Sequence, residues 1–525
     1  MPAVENWRAG FLLILFFSLS LVAGWHSDGV YHEDDLTHYV FARWSQFDAR
    51  YLLDFWGRPG FTVPYSWPAS LGTSAQGLQA CRILSAILSA ASAWLAFCIA
   101  RRLGLRHAWT VIPFLYLQPL FARLSLTTLT ETPLAFYLAL ATWLLVSGRL
   151  EWSAAIMALA PLTRDEAVAL LPLWALAIAI RGGRWWCYPL LLWAIVTHNL
   201  LSWFTIGAWP AQRWLEPDGS DEYGHGTLLT FVPKLAYASG PVVVGLAIMG
   251  LRRVWRRPQG WVLVSGCIAW FALETGIYMR GAYSSGGYAR FLVPICPWLA
   301  VLACAGAAPL WNQRTARAAL FALLLALIGI FTLCQAEWIW RKPVTHPDWR
   351  SWVLAGRLTI VLLCVAWAVC AVRLRLAPNP TGNHSAVLAG TTITLLLLAG
   401  LGGFLPLRLT AYQSRLREHA PAILEMAQHN RPILTLNRWF YHWADQWVAW
   451  NRWHDAEHLL DSARPGSLFV WDERFCREPG VSLEYADVQS RPGWRLVWAS
   501  ELGPDGQVPS LACFERQTVM QAAKP

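Results

Sequence analysis

Residues 11–39 read FLLILFFSLSLVAGWHSDGVYHEDDLTHY, an apolar run followed closely by three adjacent acids. With its flanking residues the run covers 9–25, which is long enough to cross a hydrocarbon core about 30 Å thick as a helix. A cleaved signal peptide is the alternative, but Ala23 and Gly24 make a poor cleavage site. We therefore predict a membrane helix over 9–25 and a polar loop after it.

Apolar runs of this kind recur along the chain. Of its 525 residues, 56% are hydrophobic and only 14% are charged, whereas a soluble globular chain has about 25% charged residues. This composition excludes a soluble enzyme and a disordered protein. It predicts an all-α polytopic membrane protein with about thirteen spans. The predicted spans are 9–25, 78–100, 107–122, 132–147, 152–163, 165–181, 186–208, 233–251, 260–279, 289–310, 316–335, 351–373 and 385–405.

The positions of the arginines predict the orientation. If the N-terminus is cytoplasmic, every short cytoplasmic loop contains arginine, while the acidic loops 32–54 and 216–222 face the exterior. The C-terminus is then periplasmic. The only allowed glycosylation sequon begins at Asn383 on the cytoplasmic side, which favours a bacterial inner membrane. The net charge of +10 is distributed among these loops, so membrane lipids are expected partners and nucleic acid is not.

The composition changes after Leu405. Residues 406–525 contain 14 acidic and 13 basic residues, without another long apolar run. We predict a small exterior α/β domain over 406–525 and assign residues 1–405, with the long first exterior loop 26–77, to the membrane domain. The expected elements of the exterior domain are a helix over 415–429, a strand over 467–471 and a hairpin of 494–498 with 510–515. An oxidising exterior makes a disulfide between Cys476 and Cys513 plausible.

The first exterior loop contains the acids Glu33, Asp34 and Asp35 directly after the first span. Adjacent carboxylates raise one another's pKa, which suits a proton acceptor, and they can also bind a divalent cation such as Mg, Mn or Zn. The alternative is an ordinary helix N-terminus, where acids favour the helix dipole. A loop of about fifty residues is typical of a functional segment rather than a simple connector.

Other charges occur at the ends of predicted spans. Glu131 begins the fourth span, and the turn between the fifth and sixth spans contains Arg164, Asp165 and Glu166. Ionisable residues at membrane depth are candidates for a functional site. Helix N-terminal acids capped by threonine are the alternative at both places.

A glycine-rich exterior loop lies between two arginines. Arg280 and Arg290 flank residues 281–288, which read GAYSSGGY and end at Tyr288. Glycines allow backbone amides to approach an anion, and arginine can bind phosphate with two parallel hydrogen bonds. The pattern indicates an anionic ligand on the exterior face.

Together these motifs resemble the GT-C superfamily of integral-membrane glycosyltransferases. The resemblance rests on the first-loop acids, Thr130-Glu131, the turn 163–166, the segment 288–294 and the terminal exterior domain. The pattern is most similar to bacterial aminoarabinose transferases and protein O-mannosyltransferase-like enzymes. In that family a first-loop Asp, usually in Asp-Glu followed by an aromatic residue, is the catalytic base.

Here the corresponding residues are Asp34, Asp35 and Tyr39, so the choice of base between the two aspartates stays open. Glu33 and His38 are the neighbours expected to assist. The family's polyprenyl-phosphate donor implies basic ligands for phosphate. Candidates in this chain are Arg58, Arg280 and Arg290.

The resemblance implies transfer of a sugar from a lipid-linked phosphosugar to an acceptor hydroxyl on the exterior face. The acceptor can be a lipid, a glycan or a protein, and no cofactor other than a possible divalent metal is implied. The alternative from another class is a transporter or flippase of a lipid-linked anion, in which the same charges would line a pathway.

Overall fold

The computed structural model describes residues 2–54, 56–214, 224–311, 400–427, 431–450, 456–477, 481–501 and 508–518, and positions 365, 369, 396 and 397. These residues are mostly helical. They form two compact units, one made of residues 1–25 and 82–406 and the other of 26–81 and 407–525. We call them the membrane unit and the loop unit.

The described α-helices are, in chain order, α1 Pro2–Trp25, α2 Glu33–Trp44, α3 Pro59–Ala69, α4 Ser74–Arg102, α5 Val111–Tyr116, α6 Pro119–Leu124, α7 Glu131–Val146, α8 Leu150–Met157, α9 Ala160–Thr163, α10 Leu171–Ile180, α11 Cys187–Leu190, α12 Trp193–Ile206, α13 Phe231–Ser239, α14 Pro241–Trp255, α15 Gly260–Met279, α16 Cys296–Trp311, α17 Ala411–Met426, α18 Arg438–Ala444, α19 Ala456–Asp461, α20 Glu473–Cys476 and α21 Tyr485–Ser490. Short 3₁₀ helices include Asp165–Leu170 and Ala289–Ile295.

Within the described residues, four helices are long and apolar enough to cross a membrane. They are Val4–Trp25, Ser74–Arg102, Gly260–Met279 and Ala289–Ala307. A fifth span results if α13 and α14, which are bent by 105° at their junction, count as one. The bend lies at Gly240, whose positive φ ends α13, and Pro241, which begins α14.

Among the described residues, several of the predicted spans are instead broken into short helices. Proline accounts for part of this, since it lacks the amide hydrogen needed inside a helix. The run 107–122 is divided before Pro119, and the run 165–181 begins as a 3₁₀ helix. The spans expected at 316–335, 351–373 and 385–405, and the loop 216–222, fall largely outside the described residues.

Close helix packing shapes the membrane unit. A Cβ atom added at Gly250 of α14 would lie 1.9 Å from the carbonyl oxygen of Leu302, and one added at Gly306 of α16 would lie 1.9 Å from that of Leu246. The two glycines therefore allow α14 and α16 to approach backbone to backbone. Trp298 of α16 also donates to the hydroxyl of Thr142 on α7 at 2.9 Å. These contacts hold the helices that position the buried charges described below.

The C-terminal part of the loop unit contains a four-stranded sheet. Its strands are β1 Ile433–Thr435, β2 Leu468–Asp472, β3 Trp494–Ala499 and β4 Leu511–Arg516, in the order β1-β2-β4-β3. β1 and β2 are parallel, and the other pairs are antiparallel. The three strands expected from the sequence are present, β1 is additional, and the expected helix is α17.

Residues 26–81 group with the C-terminal segment rather than with the membrane helices. Hydrogen bonds explain the grouping. Arg43 of α2 donates to both carboxylate oxygens of Asp445 at 2.8 and 2.9 Å, and Trp44 donates to the carbonyl of Gln446 at 3.0 Å. Tyr51 donates to the carbonyl of Val448 at 2.9 Å. The first loop and the residues after 407 thus fold together.

The expected disulfide is not formed. Cys476 and Cys513 are both buried thiols. Cys513 lies in the middle of β4, opposite Val470 of β2, whereas Cys476 ends the short helix α20. The expectation that the two residues share an oxidising location was therefore not enough to predict a bond between them.

Candidate functional site

The three first-loop acids form the first turn of α2. His32 caps this helix with an extended backbone, and its Nδ1 accepts a hydrogen bond from the amide of Asp34 at 3.3 Å. Asp35 is 1% exposed, and its Oδ2 accepts the amide of Tyr31 at 3.2 Å. The Asp34 side chain is 28% exposed and has Oδ2 3.2 Å from His32 Nδ1. The two aspartates therefore differ, since Asp34 can reach solvent and Asp35 faces the backbone of its own turn.

Glu33 contacts the C-terminal segment of the loop unit. Its Oε1 accepts from Gln413 Nε2 at 2.9 Å and lies 3.5 Å from an Arg474 guanidinium nitrogen. Its Oε2 accepts from Trp439 Nε1 at 3.2 Å. Both oxygens are thus engaged by protein groups, which does not fit the expected contact with substrate.

A buried polar group supports these partners of Glu33. Tyr412 donates to Asp472 Oδ2 at 2.5 Å, and Asn437 donates to the same oxygen at 3.2 Å. Burial raises the pKa of the Asp472 carboxyl, and these hydrogen bonds oppose that effect. Arg474 lies over the Tyr412 ring at 5.1 Å. The side chains around Glu33 are therefore fixed by contacts of their own.

His38 and Arg58 lie elsewhere in the loop unit. The buried His38 ring packs between Trp56 and Phe61, at centroid distances of 5.2 and 5.4 Å. Arg58 is half-buried at the N-terminal end of α3 and has a positive φ of 61°. Asp54 accepts hydrogen bonds from the amides of Trp56 and Gly57 at 2.8 and 2.9 Å. These bonds hold the turn that leads to Arg58.

The membrane unit contains a buried charge cluster. Arg164 donates to Glu131 Oε1 at 3.0 Å and to Glu166 Oε1 at 2.8 Å, and Arg290 Nε lies 3.4 Å from Glu131 Oε1. Phe291 lies under the Arg164 guanidinium at 4.0 Å. The Thr130 side chain makes no capping hydrogen bond, so the capped-helix interpretation of Glu131 is wrong. The structure thus joins four of the expected site residues, Glu131, Arg164, Glu166 and Arg290, in one cluster.

Glu274 is a member of this cluster that the sequence analysis missed. It lies on α15, is 0% exposed and interacts electrostatically with Arg164, Glu166 and Glu131. Neither of its carboxylate oxygens has a hydrogen-bond partner among the described residues, and the same is true of Glu131 Oε2. An acid inside the apolar run 260–279 was the available signal.

Lys234 was also missed, although it lies inside the apolar run 233–251. Its ammonium group donates to the carbonyl of Gly287 and lies 4.7 Å from the Tyr278 ring centre. The Tyr288 ring lies 5.0 Å from the Arg290 guanidinium. Lys234 and Arg290 therefore both contact the end of the glycine-rich loop.

Two other expected residues lie apart from these contacts. Arg280 is exposed at the C-terminal end of α15 and forms no ion pair with any described residue. Asp165 is partly exposed in the first turn of the 3₁₀ helix Asp165–Leu170. The structure does not bring Arg280 and Arg290 together as a pair.

The part of the chain that the structure describes contains no complete set of side-chain ligands for a metal ion. No group of three or more His, Cys, Asp or Glu residues there could hold an ion. Asp34 and Asp35 supply two carboxylates, but Asp35 is turned toward the Tyr31 amide.

Comparison with solved structures identifies the fold. The chain has an ArnT-like fold. It matches the crystal structure of ArnT from Cupriavidus metallidurans bound to undecaprenyl phosphate with a TM-score of 0.62 and 14% identity, over 98% of both chains. The apo structure of the same ArnT gives a TM-score of 0.59 over the same shares. ArnT is an aminoarabinose transferase of the GT-C type.

The expected resemblance to GT-C enzymes is therefore confirmed at the level of the fold. No family model and no curated protein matches the sequence. The ArnT-like fold and the long apolar helices indicate an integral membrane protein.

Proposed function

We propose that this chain is a membrane glycosyltransferase that transfers a sugar from a polyprenyl-phosphate-linked donor to an acceptor on the exterior face. The observation that carries the proposal is the ArnT-like fold over 98% of both chains, in a neighbour that was crystallised with undecaprenyl phosphate. The loop unit contains carboxylates that can accept a proton, and the membrane unit contains basic residues that can bind a phosphate.

The general base is an aspartate of the first turn of α2. It takes the proton of the acceptor hydroxyl while the acceptor oxygen attacks the anomeric carbon of the sugar. The bond from that carbon to the phosphate oxygen breaks, and the lipid phosphate leaves with the electron pair. This single displacement inverts the anomeric centre. Exposure favours Asp34 as the base, whereas the spacing to Tyr39 favours Asp35.

The leaving phosphate needs positive charge. Arg290 and Lys234 are the basic groups that contact the end of the glycine-rich loop, and they would stabilise the charge that develops on the departing lipid phosphate. Arg58 and Arg280 remain further candidates. Chelation by EDTA tests whether a divalent cation at Asp34 and Asp35 assists.

The hydroxyl groups of the donor sugar need hydrogen-bond acceptors in the protein. Both carboxylate oxygens of Glu274, and Oε2 of Glu131, are buried and have no hydrogen-bond partner among the described residues. Leaving such atoms unpaired costs free energy. We propose that sugar hydroxyls donate to them in the complex.

The decisive experiment is a transfer assay with the purified full chain in lipid nanodiscs. It uses a panel of undecaprenyl phosphates, each with one radiolabelled sugar, and a cell-envelope lipid and glycan extract as acceptor. The proposal expects label in the acceptor and release of undecaprenyl phosphate for at least one donor. Movement of labelled donor across liposomes without transfer would instead support the flippase.

The proposed orientation has a cytoplasmic N-terminus and a periplasmic C-terminus in the inner membrane. Reporter fusions after Arg106, Arg184 and Arg257 should report cytoplasm, because these loops are basic, and a fusion after Arg464 should report the periplasm. A cytoplasmic report after Arg464 would contradict the exterior reaction.

A further inference from the structure

The contacts of Glu33 suggest a role for the C-terminal segment. We propose that Glu33 is a positioning residue, held by Gln413, Trp439 and Arg474 so that the first turn of α2 presents its aspartates in one fixed orientation. The inference rests on the proposed function, because it gives Asp34 and Asp35 their significance. It assigns Glu33 no contact with substrate.

The hydrogen-bond direction at Gln413 is fixed by its own helix. Gln413 Oε1 accepts the amide of Thr410 at 3.0 Å, and the Thr410 hydroxyl accepts the amide of Gln413 at 3.2 Å. This capping box at the start of α17 uses the amide oxygen of Gln413. Only its Nε2 is left to point outward, so the group opposite must be an acceptor. Glu33 provides that acceptor at 2.9 Å.

The second donor is equally constrained. Trp439 is 2% exposed, and its amide donates to Asn437 Oδ1 at 3.1 Å, at the start of α18. Its indole nitrogen donates to the other oxygen of Glu33. Two donors from two separate helices therefore fix both oxygens of one carboxylate. A neutral side chain at position 33 can accept from only one of them.

The other end of α2 is held by the same segment. Arg43 binds both oxygens of Asp445, and Trp44 binds the carbonyl of Gln446. With Glu33 held as well, contacts at both ends of α2 oppose its rotation about its axis. This matters because neighbouring side chains on a helix point about 100° apart, so a small rotation of the first turn would move both aspartates.

A reciprocal exchange of the two side chains tests the inference. In Glu33→Gln the new amide nitrogen faces a donor, either Gln413 or Trp439. In Gln413→Glu two carboxylates face each other. In the double variant the side-chain amide nitrogen at position 33 can donate to the carboxylate at position 413, while the amide oxygen accepts from Trp439. The hydrogen bond between positions 33 and 413 is then restored with donor and acceptor exchanged. Glutamate can also take the place of glutamine in the capping box.

We expect each single variant to lower kcat about tenfold with donor KM within about twofold, because misplacement of a reacting group by a fraction of an ångström affects the rate more than binding. The double variant should recover to within about threefold of wild type. Trp439→Phe, which removes one donor and keeps the ring, should give a smaller loss. Hydrogen exchange of residues 33–37 should rise in the single variants and return in the double variant.

Glu484→Gln is the matched control, since it breaks a comparable pair, Arg477 with Glu484, on the exposed surface. It should leave kcat unchanged. Normal kcat in both single variants, or a double variant no better than the single ones, would overturn this inference alone. Absence of transfer by the wild-type chain would overturn the proposed function and this inference with it.

Discussion

The first turn of α2 and the buried cluster of the membrane unit use acidic residues in opposite ways. In the turn, three consecutive acids contact a nearby amide, a histidine and the C-terminal segment. In the cluster, Glu131, Glu166 and Glu274 come from separate places in the sequence and share two arginines, Arg164 and Arg290. The comparison teaches that contiguous acids can be recognised in a sequence. The charge balance of a cluster whose members are far apart in the sequence becomes visible only in the folded structure.

The largest expected effect concerns the aspartates of the turn. Of Asp34→Asn and Asp35→Asn, one should lower kcat by about 10²- to 10⁴-fold while donor binding is retained, because the shape remains and the proton acceptor is lost. The transfer assay with purified variants measures this. The larger loss identifies the base, which decides between the exposure of Asp34 and the spacing of Asp35. Normal turnover in both variants and in the double variant would refute the general-base assignment.

The next effect should appear in the stability of the membrane unit. Arg164→Ala removes the cation that binds Glu131 and Glu166, and leaves the three carboxylates of the cluster with Arg290 alone. The free energy of unfolding should fall by about 3–5 kcal/mol. Titration with a denaturing detergent, followed by far-ultraviolet circular dichroism, gives this value.

Arg149→Ala, which changes an arginine in a loop between two helices, is the control and should have little effect. If Arg164→Ala were as stable as wild type, the cluster would not depend on this ion pairing. The acids would then have to be accommodated in another way, and the contrast with the first turn of α2 would disappear.

A third prediction separates the basic residues near the glycine-rich loop. Arg290→Ala and Lys234→Ala should each weaken binding of undecaprenyl phosphate about 10- to 100-fold, which corresponds to the loss of one charge-assisted hydrogen bond. Arg290→Lys should restore binding only partly, because the planar fork is lost. Binding to the chain in nanodiscs can be followed by tryptophan fluorescence.

Arg280→Ala is the informative comparison for this prediction. The sequence treats Arg280 and Arg290 as equivalent, whereas the structure exposes the first and buries the second. A loss of binding with Arg280→Ala and none with Arg290→Ala would show that the phosphate ligand is the exposed arginine and that Arg290 only neutralises Glu131.

The sequence predicted the helical membrane class, three strands of the sheet and most of the charged candidates. It did not show which apolar runs are divided into short helices, because hydropathy registers an apolar run but not the prolines within it. It missed Glu274 and Lys234 because each is a single charge inside an apolar run, without a neighbouring motif. It gave no sign that the first loop contacts the C-terminal segment, because pairs such as Arg43 with Asp445 are 402 residues apart and leave no local pattern.

The smallest expected effect concerns Glu274. The sign of the change in the free energy of unfolding is the informative part. The cluster has three carboxylates and two arginines, so when all are ionised its net charge is 2 − 3 = −1. Glu274→Met removes the carboxyl group that has no hydrogen-bond partner among the described residues. Replacing this buried polar group with an apolar side chain of similar size should raise the free energy of unfolding by about 1 kcal/mol. Transfer should fall at the same time, because the proposed hydrogen-bond acceptor for a sugar hydroxyl is lost.

Glu151→Met changes a partly exposed acid of the same unit and should alter neither stability nor transfer. Higher stability with lower activity would mark Glu274 as a residue kept for its ligand. A loss of stability in Glu274→Met would instead mean that Glu274 supports the fold, and the unpaired carboxylate would no longer distinguish the buried cluster from the first turn of α2.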